Sequence, residues 1–119
     1  MNLITKILSV LVAAEFLYIF YLETIATAST KTSKVFGMTK TELRQKNVNI
    51  LFKNQGVYNG LLGIGLLYAI YISSAPKEMA SLLLIYIVLV AAYGSITSDK
   101  LIILKQGGLT IIGLLTLLI

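Results

Sequence analysis

The chain has 119 residues, 57% of them hydrophobic and 13% charged, with a mean hydropathy of +0.88 and a net charge of +5. Soluble domains carry about 25% charged residues, and a single domain of this length could not hide so much apolar surface, so a soluble globular protein, a disordered tail and a fibrous repeat are excluded. The absence of Cys and His excludes disulfides, thiol redox chemistry, Cys/His zinc sites, His or Cys haem ligation, and Ser-His or Cys-His catalysis. An integral membrane protein of all-α class remains. Nothing in the runs demands a cofactor or a metal, and nucleic acid is not an expected partner.

Four apolar stretches cover residues 3–26, 50–72, 79–96 and 101–119. Each approaches the ~20 residues that a helix needs to cross a hydrocarbon core of about 30 Å. The alternating segments of a closed barrel are absent. The sequence thus predicts one transmembrane domain over 1–119, built as a polytopic four-helix bundle. The first stretch also has signal-peptide features: Lys6, an apolar run over 7–14, and Ala26-Thr27-Ala28 as a small-residue site. Glu15 interrupts that run, and apolar residues continue to Leu22 before Glu23, so a retained first span is expected.

The connections differ in length. Residues 27–49 form a long basic loop. Within it, Thr39-Lys40-Thr41-Glu42 is a capping box, with Met38 and Leu43 at the positions of a hydrophobic staple. A helix is expected to start near Lys40 and run into the second span with a bend. The only Pro, Pro76, lies between the second and third stretches, where it can start a helix but not continue one. Ser98 or Asp99 is the expected cap of the fourth helix.

Four crossings put both termini on one side of the membrane. Lys31, Lys34, Lys40, Arg44, Lys46, Lys53, Lys100 and Lys105 lie at or beyond the opposite side, against Lys6 and Lys77 on the terminal side. The positive-inside rule then places the basic loop in the cytoplasm and both termini outside, in a bacterial-type plasma membrane. The same cations are expected to meet anionic membrane lipids.

Ionisable side chains inside a span cost about 2.5–3.5 kcal/mol on insertion scales, yet the first stretch keeps Glu15 and Glu23. They are separated by about 12 Å along a helix axis, too far for a carboxylate dyad. They are candidates for a proton, cation or amine site, or for structural carboxyls bonded to neighbouring helices. In the second stretch, Asn54, Gln55, Tyr58 and Asn59 fall within about 140° of arc as one polar strip. Gly56, Gly60 and Gly63 lie beside it as a close-packing face, and Gly56-x-x-x-Gly60 permits backbone approach. The strip either lines a ligand cavity or joins helices. Gln106, Thr110 and Gly113 share a face of the fourth helix, and Tyr86 and Tyr93 are nearly in line on the third. Counted from the cytoplasmic ends, Glu23, Asn54, Gln55, Tyr93 and Gln106 lie about 6–9 Å inside, Asn59 about 13 Å and Glu15 about 18 Å. With polar faces inward, these residues are expected to enclose a pocket near the inner leaflet.

The same residues carry a family resemblance. Glu15-x-x-Tyr18 with Glu23, Val35-Phe36-Gly37, the run Asn54-Gln55-Gly56-x-Tyr58-Asn59-Gly60, Ala92-x-Gly94 and Gln106-Gly107 resemble the domain-of-unknown-function 1304 family over essentially the whole chain. The resemblance implies a small four-helix membrane protein and supplies no activity. Phe16 stands where many members have His, and Gly108-Leu109 where many have Pro. A mid-helix Glu also makes the small multidrug exporters an analogy. The absence of Trp, the basic first loop and the one-sided charge distribution differ from them.

Three functions follow as expectations. The first is a module binding or transporting a small amphipathic molecule or lipid. Glu15 and Glu23 would supply charge, Asn54, Gln55, Asn59 and Gln106 orientation, and Tyr58 and Tyr93 walls; as a transporter it is expected to be a homodimer. The second is an enzyme using Glu15 or Glu23 as general acid/base, although no nucleophile–base pair is visible and no catalytic residue is assigned. The third is a structural or accessory subunit whose polar groups serve packing.

Overall fold

A computed structural model of the chain describes residues 1–97 and 102–117, and the backbone alone for 102–106. Among the described residues the fold is entirely helical: α1 Leu3–Phe20, a π-helical turn Tyr21–Ile25, α2 Thr30–Phe36, α3 Lys40–Arg44, α4 Lys46–Tyr71, α5 Pro76–Thr97 and α6 Ile102–Thr116. The expected caps at Ser98 and Asp99 lie outside the described residues.

Two stretches are long and apolar enough to span a membrane: Leu3–Ile25, with a mean hydropathy of 2.0, and Pro76–Thr97, with 2.2. Helix α4 has the length, at 26 residues, but it carries Asn47, Asn49, Lys53, Asn54, Gln55 and Asn59. The apolar part of α6, Gly107–Thr116, is shorter. Both stretches are mostly exposed, with 33% and 22% of their apolar windows buried. On α5, Ala80, Leu84, Ile87 and Ala91 face inward, while Leu82, Ile85, Leu89 and Ile96 are exposed. Along α1 and the turn after it, the buried positions include Thr5, Ser9 and Glu23, and the exposed ones Leu3, Ile4, Ile7, Leu11 and Ile25. Val12, Ala13, Phe16, Ile19 and Leu22 are also buried, so apolar side chains occupy both faces of the stretch.

The described chain divides into two compact units, Ala14–Gly63 and Met1–Ala13 with Ile64–Ile119. In the second of these, α5 packs along α6. Asn2 Oδ1 accepts from the Thr5 backbone N–H at 2.8 Å, and the Thr5 and Thr116 hydroxyls lie 2.7 Å apart. Asn2 Nδ2 donates to the Thr116 carbonyl at 2.9 Å. The start of α1 is thereby tied to the end of α6.

In the unit Ala14–Gly63, the stretch expected as a loop over 27–49 holds two short helices. The capping box of α3 is formed: Thr39 Oγ1 accepts from the Glu42 N–H at 3.1 Å, and Glu42 Oε1 accepts from the Thr39 N–H at 2.9 Å. Leu43 is fully buried. The bend falls at Gln45, whose extended ψ of 131° separates α3 from α4. Helix α2 has no counterpart among the sequence expectations. Ser29 caps it by accepting from the Thr32 N–H, and Gly37 ends it at φ 65°, a left-handed conformation that costs an L side chain about 1–2 kcal/mol. The edge of Phe36 meets Phe52 of α4 at 5.2 Å between ring centroids.

The Glu42 carboxyl is held below the usual carboxylate range by the Thr39 backbone N–H and then by its hydroxyl. A depressed folded pKa stabilises above the unfolded value and loses that contribution as pH falls through the folded one. Protection of the α3 amides, corrected for intrinsic exchange, should therefore decline at acid pH. Glu42→Gln, which retains the capping geometry, should flatten that dependence, and Thr39→Ala should remove about 1 kcal/mol of local stability at every pH.

Candidate functional site

Two of the candidate residues, Glu23 and Asn59, meet at the C-terminal end of the first helix. At Tyr21–Ile25 the helix widens to a π-turn, and the Ala26 N–H reaches back five residues to the Tyr21 carbonyl at 2.8 Å. Isolated π-turns leave neighbouring carbonyls to find other donors. Two hydroxyls and one ammonium supply them. Thr27 Oγ1 donates to the Glu23 carbonyl at 2.7 Å. Thr32 Oγ1, fully buried, is within reach of the Leu22 and Ala26 carbonyls at 3.1 and 2.7 Å. Lys53 Nζ lies 3.4 Å from the Thr24 carbonyl and from Thr27 Oγ1, a favourable place for a cation at a helix C-terminus.

The turn lies against α4. Thr24 Oγ1 donates to the Lys53 carbonyl at 2.9 Å. One turn further along α4, a Cβ on Gly56 would overlap Thr24 Oγ1 and come within 3.0 Å of the Thr24 backbone nitrogen and of Glu23 Cβ. A Cβ on Gly60 would lie 3.1–3.2 Å from Phe20. Residues 53, 56 and 60 of α4 thus oppose 24, 23 and 20 in descending order, so the two segments run antiparallel. Between the glycines, Asn59 Nδ2 donates to Glu23 Oε1 at 2.6 Å. Glu23 is 5% exposed, and its Oε2 has no hydrogen-bond partner among the described residues. A buried carboxyl with one oxygen held and the other uncommitted can accept a hydrogen bond from an amine, a hydroxyl or water.

Of the residues expected at a site, the structure brings Glu23 and Asn59 together, with Gly56 and Gly60 forming the contact. Asn54, Gln55 and Tyr58 are exposed, because the faces of α4 that carry them turn away from the first helix. Within this unit the strip therefore splits: Asn59 alone points to the carboxyl. Glu15 is half-buried, and its Oε1 is buried without a partner among the described residues. Gly63 is buried. In the other unit, Tyr93 is 69% exposed and lines an open groove of about 410 Å³ with Tyr86, Leu89 and Val90. Gln106 lies in α6, and its side chain is outside the described residues. Sequence reasoning missed Thr24, Thr27 and Thr32; the signal was a threonine recurring at three- to five-residue intervals just beyond Glu23.

The family described as "Protein of unknown function (DUF1304)" matches residues 10–118. The uncharacterised protein YpaA of Lactococcus lactis is 62% identical over 116 residues, covering 98% of each chain. No solved structure matches the chain.

Asn59→Leu removes the donor to Glu23 and should lower thermal stability by about 1 kcal/mol, the usual net contribution of one hydrogen bond. Gly56→Ala forces the two backbones apart and should cost about 1–3 kcal/mol. Gly60→Ala should cost less, because an aromatic ring can yield more readily than a backbone nitrogen. Unfolding in detergent, followed by circular dichroism, ranks the three.

Proposed function

The chain belongs to the DUF1304 family, and on that footing we propose that it is a small integral membrane protein that binds a small amphipathic molecule at the Glu23–Asn59 site. The observation that carries the reading is the Glu23 carboxyl, buried and held through Oε1 by Asn59, with Oε2 uncommitted among the described residues. Oε2 is left to accept a hydrogen bond from a donor outside the described residues. A ligand presenting an N–H or O–H donor on an apolar body suits such a site.

The proposal includes four crossings, with α4 and α6 completing the pair of long apolar helices, the basic connection over 27–49 in the cytoplasm and both termini outside. The charge distribution supports this orientation. The polar half of α4 would then lie at the cytoplasmic interface, where Asn54, Gln55 and Lys53 can reach water.

Two measurements test the reading. The chain has no cysteine, so single cysteines introduced as Thr41→Cys and Ser74→Cys report topology directly. An impermeant maleimide should label Ser74→Cys in intact cells, and Thr41→Cys only after permeabilisation; the reverse pattern inverts the orientation. Native mass spectrometry of gently extracted protein should show a stoichiometric small molecule. That mass should be lost in Glu23→Gln and Asn59→Leu variants that stay folded, and kept in Asn54→Ala. A bare protein mass across extraction conditions would move the assignment to a structural subunit.

A further inference from the structure

The net charge of the whole chain resides in one stretch. Residues 27–53 carry Lys31, Lys34, Lys40, Arg44, Lys46 and Lys53 against Glu42 alone, and elsewhere Lys6, Lys77, Lys100 and Lys105 are matched by Glu15, Glu23, Glu78 and Asp99. Lys31, Lys34, Lys40, Arg44 and Lys46 are exposed. Lys31 and Lys34 are three residues apart on α2, and Lys40 and Arg44 four apart on α3. Each pair therefore shares a helix face, with Cβ atoms about 5–6 Å apart. The only carboxylate of the stretch, Glu42, sits in the capping box with Oε1 accepting from the Thr39 N–H and hydroxyl, and it offsets one of the six cations.

These cations stand on a built scaffold. Ser29 and Gly37 bound α2, Ser33 Oγ donates to the Met38 carbonyl at 2.5 Å across the turn, and the capping box starts α3. Thr32 ties α2 to the π-turn, Phe36 packs on Phe52, and Asn49 Nδ2 donates to the Leu43 carbonyl at 3.1 Å. Little backbone freedom remains to be lost when a ligand binds. The scaffold begins five residues after the apolar stretch Leu3–Ile25 ends, so a bilayer crossed by that stretch would present its headgroups to α2 at high effective concentration.

We propose that α2 and α3 form a docking platform for anionic phospholipid headgroups, with Lys31/Lys34 and Lys40/Arg44 as two phosphate-binding pairs. The platform rests on the membrane-spanning reading and is separate from the Glu23–Asn59 site. A headgroup phosphate accepts charge-assisted hydrogen bonds from both members of a pair, and the negative potential of an anionic leaflet draws in the cluster as a whole. Val35, exposed beside Lys34, would meet the upper acyl region.

The test uses the full chain in vesicles of phosphatidylcholine and phosphatidylglycerol at about four to one, excised with their surrounding lipid by a styrene–maleic acid copolymer. Mass spectrometry of the excised discs should show phosphatidylglycerol enriched about threefold over the bulk bilayer, falling toward bulk as salt rises. The quadruple variant Lys31→Gln, Lys34→Gln, Lys40→Gln, Arg44→Gln should abolish the enrichment, and Lys6→Gln with Lys77→Gln should keep it. The four substituted side chains are exposed and make no hydrogen bond among the described residues, so the helical signal should be unchanged. Wild-type discs of bulk composition overturn the proposal, whatever the variants do. Enrichment that survives in the quadruple variant overturns it, as does binding of RNA by the cluster without lipid enrichment. A chain that fails to enter the bilayer overturns the membrane reading and the platform together, whereas a chain that enters without enrichment overturns the platform alone.

Discussion

Everything at the candidate site depends on how closely two backbones approach at Gly56. The space that a Cβ would fill is already occupied by Thr24 Oγ1, with Glu23 Cβ and the Thr24 nitrogen close behind. An asparagine side chain is short. Asn59 reaches the Glu23 carboxyl because the glycines on either side of it in α4 remove the bulk that would hold the first helix away. The same approach lets the Thr24 hydroxyl find the Lys53 carbonyl. Separating the helices would therefore strip partners from a carboxyl, a hydroxyl and a lysine at once.

Apolar side chains occupy both the inner and the outer faces of the long helices, so burial of hydrocarbon does not by itself choose which face turns inward. Two other quantities do so. One is side-chain size: Ala80 and Ala91 on α5, and Gly56 and Gly60 on α4, occupy the inner faces. The other is hydrogen bonding: Thr5 meets Thr116, Asn59 meets Glu23, and Thr32 meets the π-turn carbonyls. In such a chain, polar side chains are the ones that specify orientation.

Much of this was legible in the amino-acid order, to different degrees. The long apolar helices follow from run length. The start of α3 follows from Thr39 and Glu42, because a capping box is a local interaction between near neighbours. Pro76 opens α5 for the same kind of reason. Helix α2 was obscured because its seven residues carry too few apolar positions to show a period, although Ser29 and Gly37 marked its limits. The polar strip was the harder case. Helical phase correctly grouped Asn54, Gln55, Tyr58 and Asn59 on a broad arc, but an arc of that width spans both the side facing the first helix and the side facing away. Sequence alone does not say where the contact line falls within it. The π-turn was equally invisible, since it inserts one residue into a regular repeat and leaves no compositional mark.

One asymmetry in the hydrogen bonding bears on how such a chain can change over generations. Thr24, Thr27 and Thr32 all donate to main-chain carbonyls, those of Lys53, Glu23, and Leu22 with Ala26. A carbonyl is present whatever residue bears it. The donor positions are thus tied to hydroxyl-bearing residues, while the acceptor positions at 22, 26 and 53 can drift without losing the bond. Divergence among descendants should therefore accumulate unevenly around one and the same contact, sparing the threonines and passing through their partners.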